Sequence, residues 1–140
     1  LPVPPKPAGS YVPIVVSGNL VFVSGQIPIE DGHLKYQGKV ENDQTIENAQ
    51  SAARLCIVNG LSQIKAYFGT LDNIQKIVRI SGFVNSNESF TEQPRIINTA
   101  SDLLVDIFGE KGRHSRIAVG VSSLPLNATV EIDMIIETSD

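Results

Sequence analysis

The chain has 140 residues, of which 41% are apolar, 6% aromatic and 19% charged, with a net charge of −4. That is the size of one domain, with a core built from Ile, Val, Leu and Ala. An acidic chain with only 11 scattered Lys and Arg is a poor match to a phosphate backbone, so nucleic acid is not the expected main partner.

Residues 1–8 hold four of the eight prolines and read as an extended arm on the surface. Val12 to Val16 and Leu20 to Ser24 are short apolar runs around Ser17-Gly18-Asn19, a hairpin signal. Gly25 frees the backbone to bend or to approach a ligand. Asp31-Gly32 marks another turn, with a short strand at about Leu34 to Tyr36. From Thr45 to Phe68 the apolar residues Ile46, Ala49, Ala53, Cys56, Ile57, Leu61, Ile64 and Phe68 recur at three- and four-residue steps. Glu47, Asn48, Gln50, Ser51, Arg54 and Gln63 fill the other face, which predicts one long amphipathic helix. Asp43 or Thr45 caps its start and Gly69 its end. Gly60 inside a helix costs about 1 kcal/mol relative to alanine, so it marks a close packing contact.

Ile74 to Val84 predicts a strand with Ile74, Val78, Ile80 and Val84 on one face. A second helix follows over Pro94 to Phe108, with Ile96, Ile97, Ala100, Leu103, Leu104, Ile107 and Phe108 inward. Arg116 to Val121 is almost continuously apolar after its first residue, which suits a strand covered on both faces. Leu124 to Asn127 turns the chain. Thr129 to Glu137 then alternates, with Val130, Ile132, Met134 and Ile136 on one face and Glu131, Asp133 and Glu137 on the other. The order β-β-β-α-β-α-β-β predicts an α+β fold, a mixed sheet with two helices on one face and a second face that needs a partner.

Nucleotide-binding, zinc-protease and serine-hydrolase signatures are absent, and His33 and His114 lie too far apart to suggest a metal site. Cys56, the one cysteine, reads as a small buried hydrophobe and excludes an intrachain disulfide. No apolar run reaches the roughly 20 residues that span a bilayer, and no secretory signal is visible, so a cytoplasmic location is expected. Three local features remain. Arg116, in Arg113-His114-Ser115-Arg116, enters an apolar strand, where an unpaired charge is costly. Either it pairs with Glu131 or Asp133, or it grips a carboxylate or phosphate of a ligand. Ser24-Gly25-Gln26 ends a strand, and Ser24 serves there as an edge residue or as a donor to a ligand oxygen. Glu131 and Asp133 form a solvated face or, if covered, act in proton transfer.

These segments together resemble the Rid family, the YjgF-like reactive intermediate deaminases also known as endoribonuclease L-PSP. The resemblance lies in Asn19-Leu-Val-Phe-Val-Ser-Gly-Gln-Ile-Pro28, in Leu71-Asp-Asn-Ile74, in Arg116-Ile-Ala-Val119 with Leu124-Pro125, and in Val130-Glu-Ile-Asp133. It runs from Gly9 to Glu137 and implies a chorismate-mutase-like fold, a homotrimer, and ligand clefts between subunits. It further implies a cofactor-free enamine/imine deaminase that hydrolyses 2-imino acids to 2-keto acids and ammonia. Arg116 would hold the carboxylate and Glu131 the water, with Tyr11, Ser24, Gly25 and Asn98 around the ligand. His114-Ser115 stands where the family has Pro-Ala, and Ala118 where it often has cysteine. Two other readings stay open: a noncatalytic trimer that binds small carboxylates, and an endoribonuclease.

Overall fold

A computed structural model describes residues 1–139. In chain order the elements are β1 (Ile14–Ser17), β2 (Leu20–Gln26), β3 (Ile29–Glu30), β4 (His33–Leu34), α1 (Ile46–Phe68), β5 (Ile74–Asn85), α2 (Gln93–Phe108), β6 (Ser115–Val121) and β7 (Val130–Thr138). Five strands form one mixed sheet in the order β1-β2-β7-β5-β6. All neighbours are antiparallel except β5 and β6, which run parallel because α2 carries the chain from one to the other. The short β3–β4 hairpin stands apart.

The core lies between the sheet and the two helices. Val21 and Val23 of β2, Ile77, Ile80 and Val84 of β5, and Val130, Ile132, Met134 and Ile136 of β7 all bury one sheet face. Against them pack Ala53, Ile57, Leu61 and Ile64 of α1 and Ile96, Ile97, Ala100 and Leu104 of α2. Each of the larger aliphatic side chains contributes about 1.5–3 kcal/mol on leaving water. α1 begins at Thr45, whose hydroxyl accepts from the Asn48 N–H at 3.0 Å. Asp43 accepts instead from the Lys39 N–H within its own loop, at 2.9 Å. Gly69 closes the helix in the left-handed conformation, φ +79°. At Gly60 a Cβ would stand 2.8 Å from Met134 Sδ, which is why α1 tolerates glycine where it crosses β7.

Several positions depart from the periodic pattern. β5 contains two register shifts, between Ile74 and Lys76 and between Ile77 and Arg79, so Ile77 takes the core position predicted for Val78. Ile107 is 49% exposed, while its neighbour Phe108 packs against the core. Gln63, placed on the polar face of α1, is buried. Its amide donates to the Pro5 carbonyl at 2.8 Å, so the proline arm is pinned to the helix rather than trailing free.

β6 is an edge strand and is covered on its helix side only. Ile117 and Val119 are each 39% exposed on the other side. They share that open sheet face with Phe22 and Val15, as the aligned pairs Phe83–Val119 and Val15–Phe22 show. The face thus presents apolar side chains on both flanks, with the carboxylates of Glu131, Asp133 and Glu137 between them.

Candidate functional site

Two groups of polar side chains stand out. The first lies where the end of β2 meets β7. Polar residues of α1 shape this corner from below. The Asn59 amide donates to the carbonyls of Ile27 and Ile29 at 3.1 and 2.9 Å, and Gln63 holds the arm through Pro5. Between arm and sheet opens a cavity of about 330 Å³, lined by Pro5, Tyr11, Gly25, Gln26, Gln63 and Glu131 among others. Gly25 is needed there: a Cβ at this position would run into the Glu131 carboxylate. Ser24 sits at the rim, and its hydroxyl donates to the Val12 carbonyl at 2.7 Å. Its proton is therefore engaged with the backbone just ahead of β1, and its lone pairs are left to accept.

Glu131 is half-buried. Burial, and secondarily the negative charge of Asp133, push its carboxyl above the ordinary glutamate range. A carboxyl shifted upward holds and returns protons closer to neutral pH than a solvated one.

The second group lies at the start of β6, where a groove of about 670 Å³ opens between the strand and α2. Arg116 Nη1 donates to Ser101 Oγ at 3.0 Å. Ser101 Oγ is also 2.8 Å from His114 Nε2, and His114 Nδ1 is 2.6 Å from the Gly112 carbonyl. The ion pairs among the described residues are Lys35–Glu30, Arg95–Glu92 and Arg113–Glu110, so Arg116 has no carboxylate partner and neither Glu131 nor Asp133 takes that role. A half-buried guanidinium held by one neutral hydroxyl is a ready receptor for an anion.

One chain keeps the two groups apart. Arg116 aligns across the sheet with Ile80 and points to the helix side, where Ser101 meets it. Glu131 aligns with Phe83 and points to the open face. Tyr11, Gly25 and Glu131 come together, with Ser24 at their rim, whereas Arg116 stands on the far side of β5. Asn98 is exposed on α2, and the residue that α2 offers to Arg116 is Ser101, three positions further on. Sequence reading missed Ser101 because a lone helical serine carries no motif. The spacing of three from Asn98 places it about one turn along the same side, and that was the available signal. Among the described residues no three His, Cys, Asp or Glu side chains gather as a metal site, and no helix is long and apolar enough to cross a membrane.

Comparison with known proteins matches this architecture closely. The profile of one family, described as "YjgF/chorismate_mutase-like, putative endoribonuclease", matches residues 1–138. Protein TCP17 of Trypanosoma cruzi is 43% identical over 141 residues, covering 100% of this chain and 88% of that protein. The crystal structure of protein Atu1372 of Agrobacterium tumefaciens, of unknown function, is 48% identical with a TM-score of 0.94, covering 99% of this chain and 86% of that one. A more distant relative, 27% identical and covering 96% of this chain and 91% of its own length, is a 2-iminobutanoate/2-iminopropanoate deaminase of Dermatophagoides farinae. With the family profile spanning nearly every residue and the predicted α+β class of two helices on a mixed sheet present, although the one short strand expected at Leu34 to Tyr36 is instead the β3–β4 hairpin, the chain belongs to the YjgF/RutC family, the Rid-like proteins of chorismate-mutase-like fold.

Proposed function

We propose that the protein is an imine deaminase, hydrolysing 2-imino acids to 2-keto acids and ammonia in clefts between the subunits of a homotrimer. The observation that carries this reading is the placement of Arg116, without a carboxylate partner among the described residues and on the opposite sheet face from Glu131. Neither half makes a site alone, and a second copy that brings its own Glu131 to the Arg116 groove would complete one. The apolar flanks of the open face, with Phe22, Ile117 and Val119, give that copy something to bury. The deaminase activity of the mite relative supports the same chemistry.

In the completed cleft Arg116 takes the substrate carboxylate in a bidentate pair, which orients the C=N bond. The carboxylate of Glu131 from the neighbouring copy accepts a proton from water as the oxygen attacks the imine carbon. That proton passes to the nitrogen to give a carbinolamine, and the hydroxyl proton then follows to the nitrogen by way of Glu131 as the C–N bond breaks, ammonia leaves and the C=O bond forms. The raised proton affinity of Glu131 suits both transfers. The imine is already electrophilic, so the step requires no cofactor.

Subunit complementation tests the reading. Arg116→Ala and Glu131→Gln should each release keto acid from oxidase-generated imines at least about tenfold more slowly than wild type. Refolded together, the two variants should recover part of the activity, because mixed trimers contain intact clefts. Recovery no greater than the sum of the separate variants would refute a cleft built from two copies. Stabilisation by 2-oxobutanoate without any turnover would favour the binding-protein alternative.

A further inference from the structure

The chain carries His114-Ser115 just before the arginine, and the fold puts that imidazole to use. His114 Nδ1 lies 2.6 Å from a backbone carbonyl, an acceptor only, so Nδ1 carries the proton. In the neutral ring Nε2 is then an acceptor, and the Ser101 hydroxyl, 2.8 Å away, must point its proton there. The remaining lone pairs of Ser101 face Arg116, which donates at 3.0 Å. Proton direction is thus fixed along the whole chain, from Arg116 through Ser101 and His114 to the Gly112 carbonyl. A second proton on His114 reverses one link. Nε2 then donates to Ser101 Oγ, the oxygen accepts from both His114 and Arg116, and the hydroxyl proton is released to turn outward.

We infer that Ser101, His114 and Arg116 form a proton-coupled receptor for the ligand carboxylate, in which binding of the anion is matched by proton uptake on His114. The inference rests on the proposed role of Arg116 as carboxylate holder. It adds a ligand-contacting residue, Ser101, a positioning residue, His114, and an order of events to it. Arg113 and Arg116 line the groove with His114, so the protonated arrangement gathers positive groups there, and a bound carboxylate adds the balancing negative charge and accepts the released hydroxyl of Ser101. The other charged groups around the groove are Asp102 and Asp106 of α2, while Glu110 is engaged with Arg113 at 3.3 Å and Arg79 of β5 aligns with Ser115 on the open face. The two aspartates line the same groove with and without the anion, so they do not supply the coupling. The receptor selects a compact anion that reaches the guanidinium and the hydroxyl together, as the carboxylate of a short 2-keto or 2-imino acid does.

Calorimetry with sodium 2-oxobutanoate on the assembled wild-type protein tests this, run in PIPES and in Tris, whose ionisation heats differ, to count protons. The expected result is net proton uptake, with Kd rising as pH goes from about 6 to 8 by up to about tenfold per unit where a full proton is taken up. His114→Gln keeps a polar partner for Ser101 and cannot ionise. It should bind more weakly, with no proton uptake and a flat pH profile. Histidine nitrogen shifts should show the Nδ1–H tautomer without ligand and a doubly protonated ring with it. Binding that depends on Arg116 but exchanges no proton, or uptake that persists in His114→Gln, overturns the inference and leaves the carboxylate site standing. Binding unchanged in Arg116→Ala, or no binding at all, removes both.

Discussion

The three atoms nearest to a methyl group added at Gly25 all belong to the Glu131 side chain, whereas one added at Gly82 meets the Ile97 side chain at 2.6–3.0 Å. The two alanine variants should therefore fail in opposite ways. Ile97 is fully buried and β-branched, so Gly82→Ala overpacks the β5–α2 contact at a cost of about 1–3 kcal/mol. At about 2.1 cal/mol/K of unfolding entropy per residue, the chain loses about 0.3 kcal/mol per degree, so Tm falls by about 3–10 °C. Gly25 does not lie in the left-handed region, so alanine fits its backbone, and the end of a half-buried glutamate can swing aside. Its stability cost should stay below about 1 kcal/mol. The displaced carboxylate, however, no longer stands where water must be activated, and kcat/KM should fall about 10- to 100-fold. Thermal unfolding paired with keto-acid release measures both. A Gly25→Ala protein with wild-type turnover would show that the close approach of Gly25 to Glu131 has no part in the chemistry.

Two further outcomes follow from the same coordinates. Glu131 has its proton affinity raised by folding, so the native state binds more protons than the unfolded chain above the ordinary glutamate value of 4.5. Stability linked to this group is present at low pH and is lost as pH rises through the raised value. Glu131→Gln should accordingly be more stable than wild type at neutral pH, with the gain vanishing below about pH 4 in denaturant titrations. Thr45→Ala removes the cap of α1 and should cost about 1 kcal/mol, a fall in Tm of about 3 °C, with activity retained.

Much of this was readable from the chain, and the misses have definite causes. α1 announced itself because its apolar period runs unbroken for 23 residues between a capping threonine and a glycine. β7 did so because Val130, Ile132, Met134 and Ile136 alternate cleanly and all face the core. β5 misled at Val78, since a bulge inverts which residues face inward and leaves no mark in composition. β6 read as covered on both faces because it is apolar on both, yet strand order is a long-range property and puts it at an edge. Arg116, Glu131, Tyr11, Ser24 and Gly25 were singled out from motifs. The geometry adds that Arg116 and Glu131 point away from each other, which no local pattern encodes. Ser101 became visible only when α2 and β6 were laid side by side. The buried Gln63 was hidden for the opposite reason, as a polar residue at a position that periodicity assigns to solvent.

That glutamine has a practical corollary. By fastening Pro5, it turns a stretch with no regular secondary structure into one wall of the chamber that holds Glu131. Anything that tugs on the leading residues, such as an affinity handle or a proteolytic trim, is felt at the reacting end of the molecule. After β7 the Ser139 N–H donates to the Asn73 carbonyl at 2.9 Å, away from that chamber, so a label placed on this side is the safer choice.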